Sequence, residues 1–410
     1  MKLTRILALV LTIALCFGAL GMLTSCGGEA KNYAAENTKI KIGLSGPLSG
    51  GAASYGIAVN NSAKLAVKEI NAAGGLEVTV NGEKVNILFE LEMKDDQHDA
   101  SKIPANYNTL YEGGMQVSLG TVTTAPGLSF KEYAYDNNVF FLTPSASGDD
   151  VPEYNNGYQM CFADSNQGTV SAQEFNRDYQ GKSIGVFYQA DDDYSKGIYE
   201  QFKKALDKSF TLKEASFTKS TASSFAQQIT ELKNCDVIFM PIYYGPAALF
   251  MTQGKDIVKS NAIYYGCDGL DGIDAVEGFD ITSIPQEVSY LSHFNSNATT
   301  GAARAYIDAY VAEYGASAPL NQFGAAAYDC VYAIFEAMKV AVANGEEITA
   351  GIAPSALCKI LRNVFNSETF VYRGITGAPE ADGKSNITWD DNGYVNKLPI
   401  KYTVKEVSAN

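Results

Sequence analysis

The sequence predicts an α/β protein of two lobes, each built on a parallel β-sheet flanked by helices. Three observations carry this expectation. The chain has 410 residues, 46% apolar and 19% charged, more than one ordinary core organises and apolar enough to fold. Short β-rich runs alternate with helical periodicities in two successive series, which is how parallel sheets are written in sequence. A last third of longer helical patterns departs from the alternation and reads as additions to lobes already begun, not as a third domain.

In order along the chain, residues 27–39 are polar and aperiodic and read as a tether. A β-rich run at 40–44 opens the first series. A helix over 55–73 follows, with Val59, Ala63, Ala66, Val67 and Ile70 at helical spacing and Gly74-Gly75 to stop it. The runs 78–80 and 85–91 flank Asn81-Gly82, a strong hairpin signal. After the polar loop 95–99 come a helix near 100–112, a strand at 116–119, a helix over 127–137 and a strand at 139–142. The second series starts near Asp164 with a helix at 168–179 and a strand at 183–188. It continues with helix 194–208, strand 211–217, helix 224–233, strand 236–241, helix 246–259 and strand 262–266. Helical patterns at 302–314, 325–343 and 354–365 and extended stretches at 386–389 and 398–407 complete the chain.

Residues 1–25 read as an export signal: Lys2 and Arg5 form a basic start, 6–23 is mostly apolar, and Leu23-Thr24-Ser25-Cys26 follows. A transmembrane anchor is the alternative, since about 18 helical residues approach a bilayer's thickness. Thr12, Gly18 and Gly21 weaken such a span. Leu23–Cys26 resembles the bacterial lipobox, which implies that Cys26 becomes a lipidated first residue tethering the rest outside the membrane. Cys161, Cys235, Cys267, Cys330 and Cys358 remain, an odd, widely spaced set without CxxC, neither a disulfide framework nor zinc spacing. The formal charge of −15 opposes nucleic-acid binding, and two histidines, His98 and His293, oppose a multi-histidine metal site.

Catalytic motifs are scarce. No GxGxxG occurs, so a nucleotide fingerprint is excluded at that level. Gly181-Lys-Ser183-Ile-Gly185 matches GxSxG, but it precedes a strand, whereas a nucleophile elbow follows one. The acidic groups Asp95-Asp96 and Asp191-Asp192-Asp193 could bind a hard cation, but Asp95 and Asp96 share their loop with only Asp99, which favours solvated loop ends.

Several runs together resemble a known family. They are Ile40-Lys-Ile-Gly-Leu-Ser-Gly-Pro-Leu-Ser-Gly50, Tyr55-Gly56, Ala63-Lys-Leu-Ala-Val-Lys-Glu-Ile-Asn-Ala-Ala-Gly-Gly75, Asp95-Asp96 with Asp99, Thr143-Pro-Ser-Ala-Ser147, Asp192-Asp-Tyr-Ser-Lys-Gly197 and Cys267-Asp268-Gly269. Their order and spacing are similar to the branched-chain amino-acid (leucine/isoleucine/valine) binding proteins of ABC importers, which have the type I periplasmic-binding fold. The resemblance implies two lobes joined by three hinge crossings, near 161–164, 288–291 and 398–401. The first lobe is then 40–162 plus 290–399 and the second 163–289 plus 400–410, after a signal at 1–25 and a tether at 26–39.

By the same resemblance, Thr124 and Ser147 hold a ligand's α-carboxylate beside the N-terminus of the following helix, with Ser145 in the same run. The Ala146 carbonyl accepts from the ammonium, and Asp268 pairs with it from the second lobe. Tyr55, Tyr194 and Tyr243 line the cleft, with Tyr244 as the one-register alternative to Tyr243 and Phe323 a weaker candidate. One branch of the family bridges its acidic loop by a disulfide to the strand before the carboxylate contact; His98 and Thr123 stand there, so that bridge is absent.

The expectation is therefore a substrate-binding lipoprotein of an ABC importer. It captures a small amino acid, branched-chain ones included, between its lobes and delivers it to a permease without cofactor, metal or catalysis. The alternatives are capture or sensing of another small organic ligand, an aromatic acid or amide, and a secreted hydrolase resting on Ser183 alone.

Overall fold

The computed structural model of the chain describes residues 39–405. The export signal, Cys26 and the tether up to residue 38 lie outside the described residues.

The first lobe begins with β1 (Lys39–Gly46), α1 (Ala53–Ala72), β2 (Leu76–Val80), β3 (Glu83–Asp95), α2 (Ile103–Glu112) and β4 (Val117–Ser118), then α3 (Thr124–Asp136), β5 (Phe141–Thr143) and β6 (Gly157–Gln159). Its six-stranded sheet has the order β2-β3-β1-β4-β5-β6. All neighbours are parallel except β2 and β3, which form an antiparallel hairpin. The hairpin turn is Asn81-Gly82, with φ of 52° and 85°. Two consecutive positive φ values match the twist of the flanking strands, and Asn and Gly are the residues that adopt them at least cost.

After β6 the chain crosses once and builds a second sheet from α4 (Asp164–Asp178), β7 (Ile184–Gln189), α5 (Asp193–Ala205), β8 (Leu212–Phe217), α6 (Ala226–Leu232), β9 (Val237–Met240), α7 (Tyr244–Gly254), β10 (Ile263–Gly266) and β11 (Glu287–Ser292). It returns to pack α8 (Gly301–Tyr314), α9 (Gln322–Ala343), α10 (Pro354–Phe365) and the β12 (Tyr372–Gly374)–β13 (Ser385–Ile387) ribbon with the first lobe, α9 lying on α1. A last strand, β14 (Ile400–Lys405), re-enters the second sheet, whose order is β14-β11-β10-β9-β7-β8. β14 runs antiparallel to β11, and the rest of that sheet is parallel.

Central strands are continuously apolar because both faces are covered. In β9, Val237 and Phe239 pack with Phe175, Phe202 and Tyr265 on one face, while Ile238 and Met240 join Leu232, Phe250 and Met251 on the other. α10 buries Leu357, Cys358, Ile360, Leu361, Val364 and Phe365, the stripe expected of a surface helix, with Pro354 in its first turn. Cys161, Cys235, Cys267, Cys330 and Cys358 are free and buried, behaving as small apolar side chains.

Both sheets are mainly parallel; their antiparallel members are β2, as the Asn81-Gly82 hairpin implies, and the last strand β14. Val288 and Leu291 lie inside β11, so the chain leaves the second sheet only after Ser292. α3 starts at Thr124, three residues before the expected start, because Thr-Ala-Pro offers no apolar periodicity. Those residues form a first turn, where the N–H that Pro126 lacks is not needed. For the same reason α4 opens at Asp164 and α7 at Tyr244.

Candidate functional site

The expected site residues come from six different segments, and nearly all follow the carboxyl end of a strand. Tyr55 follows β1, Thr124 follows β4, and Ser145 and Ser147 follow β5; on the other lobe Tyr194 follows β7, Tyr243 follows β9 and Asp268 follows β10. Crevices outside strand carboxyl ends are where open α/β sheets bind ligands, since loop side chains and helix N-termini converge there. The structure brings Tyr55, Thr124, Ser145, Ser147, Tyr194, Tyr243 and Asp268 into one cleft, together with Val122, Thr123, Gly269 and Phe323.

The first-lobe wall consists of hydroxyls and a helix end. Thr123 is extended (φ −122°, ψ 155°) and leads into α3. The Thr124 Oγ1 accepts from the Gly148 N–H at 3.1 Å and keeps its own hydrogen to donate. Ser145 Oγ donates to the Val122 carbonyl at 2.7 Å, pinning the two strand ends together. Ala146 is not brought to the cleft: it is fully buried, and its carbonyl accepts from Gln159 Nε2 at 2.9 Å. His98 Nδ1 lies 2.9 Å from Thr123 Oγ1, so a hydrogen bond joins the two positions at which a disulfide is absent. Burial and Lys219 hold the His98 imidazole down at about 4.

The second-lobe wall is acidic and aromatic. Asp268, 2% exposed, accepts from the Tyr194 hydroxyl at 2.6 Å, and the Gly269 N–H donates to the same hydroxyl at 2.9 Å. A Cβ at Gly269 would lie 2.7 Å from that hydroxyl and 2.8 Å from the Ile242 carbonyl, so only glycine permits this approach. Tyr194 stacks on Tyr243 with centroids 4.7 Å apart and planes at 16°. The Tyr243 hydroxyl is buried and has no hydrogen-bond partner among the described residues. Burial raises the Asp268 carboxyl to about 6, opposed by the Tyr194 hydrogen bond.

The two walls touch. The Tyr55 hydroxyl donates to the Gly269 carbonyl and accepts from the Tyr244 N–H at 3.3 Å, while the Ser54 N–H donates to the Tyr244 hydroxyl at 3.2 Å. Tyr244, the one-register alternative to Tyr243, thus packs behind the cleft against the Tyr55 ring, centroids 4.7 Å apart. The His98 ring stands edge-on to Tyr243 at 4.9 Å. The space between the walls measures ≈ 10 Å³, about what one water needs. A larger hollow of ≈ 570 Å³ lies elsewhere, between α1, α8, α9 and β12, away from the strand ends. Its Glu69 is already held by the hydroxyls of Tyr328 and Tyr332.

Two residues outside the expected set stand just behind the second-lobe wall. Asp164 opens α4, is 2% exposed, and donates its N–H to the Ser147 carbonyl at 2.8 Å. Gln167, fully buried, accepts from the Asp268 N–H at 3.0 Å. In the sequence, an aspartate at a helix start is explained by the helix alone, which hides any second role. Ser183 precedes β7, at the end away from the cleft, and its hydroxyl donates to Asp236 at 2.7 Å, not to a histidine. The acidic loops brace the backbone: Asp95 accepts from the Leu48 and Gln97 N–H groups, Asp96 from Ser45 Oγ and the His98 N–H, and Asp192 caps α5 through the Ser195 N–H.

The chain is similar to known proteins in sequence and in fold. The chain is 28% identical over 241 residues to the Leu/Ile/Val-binding protein homolog 3 of Brucella melitensis, a match covering 57% of this chain and 62% of that relative. The branched-chain amino acid transporter substrate-binding protein of Streptococcus pneumoniae, solved with isoleucine, has a similar fold, with a TM-score of 0.68 and 24% identity, covering 90% of this chain and 100% of that one. A solute-binding protein of Rhodopseudomonas palustris, solved with 3,4-dihydroxybenzoic acid, gives 0.69 at 18% identity, over 90% and 94% of the two chains. Two sheets whose carboxyl ends face one cleft account for these similarities, and residues 39–366 match a single family throughout: the chain belongs to the periplasmic binding protein family.

Proposed function

We propose that the protein is the substrate-binding component of an ABC importer, that it holds an α-amino acid with an aliphatic side chain, branched-chain ones included, and that Cys26 anchors it to the outer face of the membrane near its permease. One observation carries the ligand class: the cleft is electrically polarised. The first lobe offers hydroxyls and the α3 N-terminus, which favour an anion. The second offers Asp268, with no lysine or arginine among the described residues lining the cleft. Thr124 and Ser147 then meet the α-carboxylate, Asp268 meets the ammonium, and Tyr55, Tyr194, Tyr243 and Phe323 surround the side chain. A buried charge left unpaired costs several kcal/mol, so the ligand's two charges and the cleft's two walls need each other.

Aromatic acids form the second reading, favoured by the ring-rich lining and by the hydroxybenzoate bound to the Rhodopseudomonas palustris protein. They bring no cation to Asp268, and the amino-acid reading stands above them for that reason. A thermal-shift screen of the twenty amino acids against benzoate and hydroxybenzoates separates the two. A ligand at about 100 times its Kd stabilises by roughly 2.7 kcal/mol. A rise with leucine, isoleucine or valine and none with benzoates is expected; the reverse pattern overturns the amino-acid assignment.

A further inference from the structure

Asp164 and Asp268 form a carboxyl pair without a protein counter-ion. Both are 2% exposed. A single carboxamide joins them: Gln167 Oε1 accepts from the Asp268 N–H at 3.0 Å, and Gln167 Nε2 faces Asp164 Oδ1 at 3.5 Å. Among the described residues, no lysine, arginine or histidine side chain forms an ion pair or hydrogen bond with either carboxyl. The titratable groups around them are acids, phenols and thiols. Asp149, tied to the Ser165 N–H, and Asp192, which caps α5, approach Asp164. Tyr194 and Tyr243 approach from the cleft, Cys267 from the end of β10, and Cys161 from the hinge, with Lys397 on the far side of Cys161. Two carboxylates buried on either side of one carboxamide repel, and with no cation among the described residues paired to either, one proton on the two is the low-energy state.

We propose that Asp164 and Asp268, bridged by Gln167, share one proton, and that this proton is released to solvent when a cationic ligand nitrogen enters the cleft. The inference rests on the amino-acid reading of the cleft and adds to it a charge exchange. The pair holds a net single negative charge before binding. The ligand's ammonium brings the missing positive charge, the shared proton leaves for bulk water, and both carboxylates are then ionised around a cation. No covalent bond changes. The geometry also ties the pair to the opposite wall, because the N–H of Asp164 donates to the Ser147 carbonyl at 2.8 Å, next to the Ser147 side chain. The pair's ionisation is thereby coupled to the hydroxyl that meets the ligand's carboxylate. Burial and the neighbouring Asp268 push the Asp164 carboxyl well above the ordinary carboxylate range, in keeping with this arrangement.

The test is calorimetry of L-leucine binding in two buffers of different ionisation enthalpy, repeated across neutral pH, with the parent protein and Asp164→Asn. Expected for the parent are a binding enthalpy that differs between buffers by the release of up to one proton and an association constant that rises with pH, by at most about tenfold per pH unit. Asp164→Asn should bind with a buffer-independent enthalpy and a flatter pH profile. Leucine binding to the parent with equal enthalpies in both buffers and a flat profile overturns the proposal while leaving the amino-acid reading intact. The free protein, labelled with ¹³C at the aspartate carboxyls, gives an arm independent of ligand: one proton titrates across both resonances near neutrality, and Asp164→Asn moves the Asp268 transition. If leucine fails to bind but the pair titrates so, the proton sharing stands and the amino-acid reading fails. Two independent transitions in the ordinary carboxylate range overturn the proposal whatever leucine does.

Discussion

The two walls of the cleft are built by the same kind of element and carry opposite chemistry. On each lobe, loops at the carboxyl ends of parallel strands present the side chains. The first lobe contributes Thr124, Ser145 and Ser147, whose hydroxyls are partly used to hold its own loops together. The second contributes Asp268 with Asp164 behind it, acids that lack a cationic protein partner. The difference teaches that neither wall satisfies itself in the same way. The hydroxyl wall is braced mainly by neutral hydrogen bonds, whereas the acidic wall carries carboxyls with no cationic partner among the described residues. On the proposed reading of the cleft, selectivity for ligand charge resides chiefly in the second lobe.

The comparison breaks most sharply at Asp268. Asp268→Asn should weaken leucine binding by about 2–5 kcal/mol, since the ammonium is then buried against a neutral group. The loss should be much smaller for the corresponding 2-hydroxy acid, and calorimetry on both ligands measures the difference. Parent-like leucine affinity would remove Asp268 from the ammonium.

Across the cleft the expected effect is smaller. Thr124→Val or Ser147→Ala removes one hydrogen bond to a charged carboxylate, about 1.5–3 kcal/mol each, because the α3 N-terminus remains. Isothermal titration of both variants checks whether the first-lobe wall tolerates single losses better than the second. A larger loss than that of Asp268→Asn would invert the comparison.

The contact between walls comes next. Tyr55→Phe deletes the hydroxyl that bonds the Gly269 carbonyl and the Tyr244 N–H across the cleft, with an expected cost to closure of about 1 kcal/mol. Small-angle scattering at saturating ligand should then record a larger mean radius than for the parent. An unchanged radius would mean that the rings of Tyr244 and Phe323 hold the lobes without it.

The smallest effect is on stability against pH. Burial raises Asp96, Asp192 and Asp268 to about 6 and Asp271 to about 7, above the unfolded carboxylate. Folding thus takes up protons in this window, and the stability these groups contribute is lost as pH rises through 6–7. Lowering the pH from about 7.5 to 6.5 should raise the ligand-free Tm modestly. Lys397, held down at about 8, acts in the opposite sense above that window, and buried His98 and His293, held below the ordinary imidazole range, oppose the acids as pH falls to 6.5 and keep the rise small. A Tm that falls over this range would show that the acids ionise without penalty.

Much of the fold was legible because hydrophobic periodicity is local. The helices over 55–73 and 354–365 and the Asn81-Gly82 hairpin lie within a few residues of where periodicity and turn chemistry put them. The short β6 was not legible, since Gly-Tyr-Gln has no period and is a strand only because β5 lies beside it. Most of the candidate site was reached through the order and spacing of runs shared with a family. Ala146 does not line the cleft, and its carbonyl accepts from Gln159, a partner thirteen residues away that the run around it does not reveal.

The sequence by itself determined the alternation of strands and helices, the identity of the residues that gather at strand ends, and the acidity of the chain, since each depends on neighbouring residues or on composition. Only the tertiary structure decided that β14 runs antiparallel to β11, that His98 meets Thr123 where a disulfide is missing, and that Asp164 stands behind Asp268. Partners far apart in the chain make these features, and the energy of a buried charge depends on what surrounds it in space.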